Sequence, residues 1–171
     1  MLNLSLIKNA KSDWSNYDGD DIARPISAKG VKKTKSILKF LEKKKKKILF
    51  KEIFCSPSKR TRETLDLLSE KISNNPKIHF LDDLYYSSGV DIFRTVRLHA
   101  SKNKVLVVSH EPLLSDSIGN FFIGSQNKNY LKAKEDYTTS AFFNVSFSCS
   151  DWDKIRKSNS RINFYIKPKD L

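Results

Sequence analysis

The 171-residue chain is poor in cysteine, glycine and proline. Cys55 and Cys149 are the two cysteines, and they stand far apart without a CxxC partner. Together with three histidines they give no metal-ligand spacing, so neither a zinc site nor a disulfide framework is expected. The five glycines and five prolines are scattered and form no linker. We therefore expect one domain over residues 1–171, large enough for a hydrophobic core.

Long apolar stretches are also missing. No run approaches the roughly 20 residues that a membrane-spanning helix needs. Only a few apolar residues precede Lys8, without a cleavage-site pattern, so a secretory signal is not expected. We expect a cytoplasmic protein that needs no metal and no other cofactor.

The charge is strongly positive, with a formal net value of +13. Such an excess suggests an anionic partner such as nucleic acid. Only 7 of the 32 basic residues are arginines, and arginine is the usual side chain for specific base or phosphate recognition, so no specific nucleic-acid partner is expected. The densest run, EKKKKKILFKE (42–52), is interpreted as a solvated helix end. A weak polyanion-binding face is the alternative.

Apolar strands alternate with amphipathic helices along the chain. The predicted elements are strands at 2–7, 51–56, 77–81 and 105–109, helices within 24–44 (capped by Ser27), 58–72, 90–100 and 112–124, and closing strands at 140–150 and 161–168. VLVVS (105–109) is the clearest buried strand because it is apolar on both faces. The pattern predicts a three-layer α/β/α domain with a mostly parallel central sheet and closing antiparallel strands.

Ligands of such sheets bind at the carboxyl ends of the strands. Lys8 and Asn9 follow the first predicted strand, Arg60 lies one turn into the helix after the second, and His110 and Glu111 follow the fourth. Two cations, an amide and an imidazole are therefore expected at one edge, where helix N-termini also favour negative charge. This combination predicts an anion site.

Five motifs around these residues resemble those of the histidine phosphatase superfamily, in particular the SixA-type phosphohistidine phosphatases. They are KNAKSDW (8–14), RPISAKG (24–30), SPSKRTRET (56–64), VSHEP (108–112) and TTSA (138–141). The corresponding family strings are R-H-A-K-S-x-W, R-P-L, S-P-x-x-R-x-x-x-T and V-x-H-x-P. All occur in the family order over nearly the whole chain.

The resemblance implies a metal-free phosphoryl-transfer pocket. In the family, the histidine after the first strand attacks phosphorus, and the preceding arginine, the S-P-x-x-R arginine and the late histidine hold the phosphoryl oxygens. Arg60 and His110 match two of these residues, and Arg24 matches the arginine of R-P-L and is expected at the rim. Many relatives use a carboxylic acid to protonate the leaving group. The candidates here are Asp82, Asp83 and Glu111.

The sequence departs from the family at two positions. Asn9 stands where the nucleophilic histidine is expected, and Lys8 stands in place of the first arginine. The amide nitrogen of Asn9 is not a useful nucleophile, although it can donate hydrogen bonds to a phosphate. Lys8 keeps the positive charge without the bidentate fork of arginine.

Three functions follow as alternatives. The first is a catalytically impaired relative that binds a phosphorylated protein or a small phosphate ester. The second is an active phosphatase that uses His110 or water as the nucleophile. The third is a lysine-rich protein that binds polyanions.

Overall fold

Strands and helices alternate throughout the computed structural model, which describes residues 1–43, 49–69, 75–86 and 89–171. The strands in these ranges are β1 (Leu2–Lys8), β2 (Glu52–Cys55), β3 (Lys77–Phe80), β4 (Lys104–Ser109), β5 (Phe142–Phe147) and β6 (Ser160–Ile166). The helices are α1 (Ala28–Lys43), α2 (Lys59–Ser69), α3 (Ile92–His99), α4 (Leu113–Phe121) and α5 (Lys128–Glu135).

The strands form one sheet in the order β3-β2-β4-β1-β5-β6. β1 and β2 pair in parallel with β4, and β3 pairs in parallel with β2. β5 pairs antiparallel with β1, and β6 pairs antiparallel with β5. The sheet is thus parallel over four strands and closed by two antiparallel ones, as predicted.

A hydrophobic core lies on each face of the sheet. Leu4 and Leu6 of β1 belong to the core that includes residues of α3, α4 and α5. Ile7 faces the opposite side and belongs to the core shared with α1 and α2. Successive strand residues point to opposite faces, so both cores are built from the same strands. The predicted three-layer α/β/α class of a single domain is confirmed.

The predicted helices appear with small differences at their ends. α1 begins directly after Ser27, whose hydroxyl accepts a hydrogen bond from the Gly30 amide at 3.1 Å. Residue 44 of the first predicted helix, residues 70–72 of the second and residues 44–48 of the lysine run lie outside the described residues. No described helix is long and apolar enough to cross a membrane.

Helix α5 was not predicted. It is eight residues long and largely polar, and it buries only Tyr130 and Ala133. Such a helix has too few apolar positions to produce a periodic signal. Its start is fixed by Asn127, whose side chain accepts hydrogen bonds from the Asn129 and Tyr130 amides.

Gly30 brings the first turn of α1 against the chain that follows β1. A Cβ at this position would lie 2.5 Å from the Lys11 carbonyl oxygen and 2.9 Å from the Lys11 nitrogen. Both are backbone atoms, which cannot rotate away, so only glycine allows this close approach. The contact fixes α1 relative to the end of β1, where the anion site was predicted.

We expect Gly30→Ala to lower the free energy of unfolding by about 1–3 kcal/mol, because the added methyl group overpacks a backbone contact. Gly119→Ala in α4 is the matched control, since a Cβ there meets only the Lys134 side chain at 3.7 Å. The control should be neutral or stabilising by up to about 1 kcal/mol through helix propensity. Urea unfolding measures both, and equal stability of the two variants would contradict the close-approach argument.

Candidate anion-binding site

The backbone at the end of β1 is held by three neighbouring elements. The Asn9 amide donates to the Ser109 carbonyl at the end of β4 at 2.8 Å. The Ser140 amide, just before β5, donates to the Lys8 carbonyl at 3.1 Å. The Ala10 amide donates to the Thr64 hydroxyl of α2 at 2.9 Å. Residues 8–10 are therefore fixed at the carboxyl edge of the sheet.

Asn9 is almost fully buried, with 4 % of its surface exposed. Its side-chain nitrogen donates a hydrogen bond to the Ala10 carbonyl at 2.8 Å. The nitrogen lone pair is delocalised into the amide and one N–H is directed at the backbone. At this position the residue lacks the attacking atom that an imidazole would supply.

Lys8 reaches from β1 toward the end of α5. Its ammonium group donates to the Tyr137 carbonyl at 2.9 Å. Partial burial lowers the pKa of Lys8, while the charges of Glu111 and Asp136 act to raise it. Lys8 thus supplies a partly desolvated positive charge, and such a charge acts more strongly on a nearby anion than a solvated one does.

Arg60 is 6 % exposed and is held by residue Asp21 of the loop before α1. Its Nη1 donates to the Asp21 carbonyl at 2.8 Å and its Nη2 donates to the Asp21 carboxylate at 3.0 Å. A guanidinium carries more N–H donors than these two contacts use. The contacts therefore orient Arg60 without exhausting its capacity for an anion.

Asp21 connects three side chains around the site. One carboxylate oxygen accepts from Arg24 at 2.7 Å, and the other accepts from Arg60 and from the Tyr85 hydroxyl, both at 3.0 Å. Partial burial acts to raise the pKa of Asp21. The hydrogen bonds from Arg24 and Tyr85 and the charge of Arg60 outweigh it and lower the pKa to about 2. Asp21 is consequently charged throughout the neutral range.

Arg24 is not an open rim residue. It is 8 % exposed, and its guanidinium lies over the Trp14 ring at 3.7 Å while it pairs with Asp21. A cavity of about 120 Å³ lies beside it, lined in part by Asp13, Tyr17 and other residues of the same loop. Arg24 is the only predicted site residue in that lining, so this cavity adjoins the predicted site and is distinct from it.

The pKa of His110 depends on the charged side chains around it. Burial and the charges of Arg60 and Lys8 lower its pKa, while the polar backbone of Tyr85 and the charge of Asp21 act to raise it. The balance favours a neutral imidazole near pH 7. Its Nδ1 is buried without a hydrogen-bond partner in the described part of the chain.

Among the three acid candidates, only Glu111 is partly buried. Burial raises the pKa of Glu111, against hydrogen bonds from the Ser115 hydroxyl and amide and the charge of Lys8. Asp82 and Asp83 lie in a short 3-10 turn and are exposed. Of the three, Glu111 is thus the one whose burial favours the protonated form, although its carboxylate accepts hydrogen bonds from Ser115 in the first turn of α4.

The charges of Lys8 and Arg60 both act on His110, and the Asn9 amide bonds to the end of β4. Sequence reasoning missed Asp21 and Tyr85. A signal for Asp21 exists, because it precedes Arg24 by three residues, a spacing at which an acid and an arginine can pair. Tyr85 has no comparable signal, since only the folded chain brings it to Asp21.

Comparison with known proteins rests on structure alone. No protein-family model matches the chain, and no curated protein matches its sequence. A structure of the protein histidine phosphatase SixA complexed with tungstate shares 18% identity, covers 99% of both chains and gives a TM-score of 0.70. The chain has the fold of SixA.

Two further SixA structures agree. A protein assigned as the phosphohistidine phosphatase SixA from Nakamurella multipartitia gives a TM-score of 0.76 at 18% identity, covering 98% of this chain and 96% of the other. Its counterpart from Agrobacterium tumefaciens gives 0.77 at 17% identity, covering 97% of each. The SixA fold therefore extends over essentially the whole chain, as the motif order predicted.

We expect sulfate to bind more tightly as the pH falls from about 8 to about 5. The pKa of His110 is lowered from 6.5, so its protonation below that value adds a positive charge beside the anion. Sulfate is the probe because its own charge is constant in this range. Calorimetric titration should show a rise of up to about tenfold, the effect of one nearby charge.

His110→Gln should abolish this rise. Glu111→Gln is the comparison variant, because Glu111 also loses charge toward low pH. The assignment to His110 would be wrong if the rise persisted in His110→Gln and disappeared in Glu111→Gln.

Proposed function

We propose that this protein binds a phosphorylated protein or a small phosphate ester at the carboxyl edge of its sheet, and that its catalysis is impaired. The observation that carries the proposal is Asn9, an amide fixed where the resemblance expects the nucleophilic histidine. In another enzyme, loss of the principal nucleophile costs about a millionfold in turnover. Anion binding by the positive side chains around Asn9 does not require that nucleophile.

The charges of the site favour an anion. Lys8 and Arg60 bring two positive charges to the neighbourhood of His110, while Asp21 offsets one of them. Fixed donors of this kind stabilise the charge spread over phosphoryl oxygens. A few such contacts without a covalent step suggest a dissociation constant near millimolar, about 4 kcal/mol of binding free energy.

Proteins of this fold with bound anions support the proposal. One SixA structure contains tungstate. A histidine-to-alanine variant of phosphoserine phosphatase from Entamoeba histolytica, in complex with phosphoserine, has 15% identity, a TM-score of 0.57 and complete coverage of both chains. A protein of this fold thus holds a phosphorylated ligand after a histidine has been replaced.

An active phosphatase is the second candidate. Its support is His110, because the lowered pKa leaves a neutral imidazole near the positive side chains. A neutral imidazole nitrogen is a competent nucleophile for phosphorus. In this version His110 or a water molecule attacks the phosphoryl group, and a phosphohistidine would be the least demanding substrate.

The proposal includes a cytoplasmic location. Cys55 and Cys149 are both free thiols, and Cys55 is buried. Free thiols are usual where the surroundings keep cysteine reduced.

Arg60→Ala should abolish phosphate binding, because the guanidinium and its charge are both removed. Arg62→Ala is a matched control that removes the same charge from the same helix. Arg62 is exposed and lies over the Phe80 ring at 4.0 Å. Titration with inorganic phosphate should show at least about a tenfold loss for Arg60→Ala and little change for Arg62→Ala. Equal affinities of the two variants would remove Arg60 from the site.

The double variant Lys8→Arg with Asn9→His should raise phosphatase activity by at least about a hundredfold, since positioned catalytic groups contribute on that order. It restores the R-H-A string at the end of β1, beside Arg60 and His110. Hydrolysis of a generic phosphate ester and of a phosphohistidine peptide measures the gain. Labelled phosphate should be trapped on the new histidine.

The parent chain could instead show robust turnover that His110→Ala eliminates, with a phosphoenzyme at residue 110. That result would show that the proposal of impaired catalysis is wrong. A double variant that folds and binds phosphate without gaining activity would instead show that the surrounding residues no longer support catalysis.

A further inference from the structure

One exposed face of α1 is rich in lysines, and Glu42 is the acidic residue at its edge near the end of the helix. Its basic members are Lys29, Lys32, Lys35, Lys39 and Lys43, which we call the α1 lysine face. At 100° per residue these positions fall within less than half of the helix circumference. In the described residues, no ion pair engages Lys29, Lys32 or Lys35.

The lysine at the start of this face does not stabilise the helix. Lys43, in the last turn, interacts favourably with the helix dipole. Lys29 lies in the first turn, which contains no acidic residue, and there the dipole opposes a positive charge. A lysine placed against the dipole at an exposed position suggests a role in binding.

The first turn of α1, where this face begins, lies next to the chain that follows Asn9. Gly30, next to Lys29, packs against Ala10 and Lys11, the residues that directly follow Asn9. Lys11 is exposed at the same edge, and so is Lys59 in the first turn of α2, whose amide donates to the Ile22 carbonyl. A chain that left the anion site and passed over the first turn of α1 would reach Lys29, at the start of the α1 lysine face.

We propose that the α1 lysine face binds an acidic polypeptide segment that flanks the phosphorylated residue of a protein partner. This rests on the proposed function above, because the phosphoryl group of that partner occupies the anion site. From Lys29 to Lys43 the face is about 21 Å long. An extended peptide of about six residues covers this length, so a short run of Asp and Glu matches it.

The composition of the face favours a protein over nucleic acid or a membrane. Single-stranded nucleic acid is usually held by aromatic stacking together with arginine, and the exposed face of α1 contains neither. Helices that lie on membranes pair their basic face with exposed apolar side chains. In α1 the residues Ile37, Leu38 and Leu41 are instead buried in the protein core.

The test compares two phosphoserine peptides that differ only in their flanks, one rich in Asp and Glu and one with Gln. The acidic peptide should bind about tenfold more tightly at about 50 mM salt, and the difference should shrink at about 500 mM. The triple variant Lys29→Gln, Lys32→Gln, Lys35→Gln should lose most of the difference while its affinity for the Gln peptide changes little.

A matched triple variant removes the same charge from the opposite edge of the sheet: Lys77→Gln, Lys102→Gln, Lys104→Gln. These lysines are exposed and lie at or next to the starts of β3 and β4. This variant should keep its preference for the acidic peptide within about twofold. An equal loss in both triple variants would show a general charge effect and overturn the proposal.

Two further measurements distinguish a wrong choice of partner from a wrong proposed function. A single-stranded oligonucleotide that bound more tightly than the acidic peptide, and lost affinity in the α1 variant, would overturn the choice of a protein partner. If inorganic phosphate does not bind the parent protein, the proposed function is wrong. The unphosphorylated acidic peptide still tests the α1 lysine face in that case, because its binding should fall in the α1 variant alone.

Discussion

The site depends on how the backbone of residues 8–10 is held at the end of β1. Main-chain hydrogen bonds from β4 and from Ser140, together with the Thr64 hydroxyl, fix this segment. Thr64 also donates to the Arg60 carbonyl at 2.6 Å, so one hydroxyl ties the end of β1 to the helix that carries Arg60. The close approach of Gly30 adds α1 to the same assembly. The position of the candidate site is therefore a property of the backbone.

Charge balance is the second feature of this edge. Arg24 and Arg60 are both nearly buried, and a lone buried cation is costly. Asp21 pairs with both of them through one carboxylate, so one of the two positive charges stays uncompensated, and Lys8 adds a further positive charge that acts on His110. The edge is thus held together by an internal ion-pair cluster and still carries an excess of positive charge. That excess is compatible with an added anion.

Much of the fold follows from the sequence because buried parallel strands are apolar on both faces, as in β4, and because the motif order matches that of the SixA proteins. Helix α5 does not follow from it, since its stability depends on tertiary contacts of Tyr130 and Ala133. The acids between residues 12 and 21 look alike in sequence, and only tertiary placement brings Asp21 onto Arg60. The assignment of Asn9 and His110 to a phosphate pocket stays a prediction.

The contact of Asp21 with Arg60 also lowers the entropy cost of ordering Arg60 when a ligand binds. A free arginine side chain samples many rotamers and loses that freedom when it closes on an anion. Here the guanidinium is already ordered by two hydrogen bonds from one loop residue. This ordering cost is met when the chain folds, so a phosphoryl group bound at the proposed site would meet a donor that is already ordered.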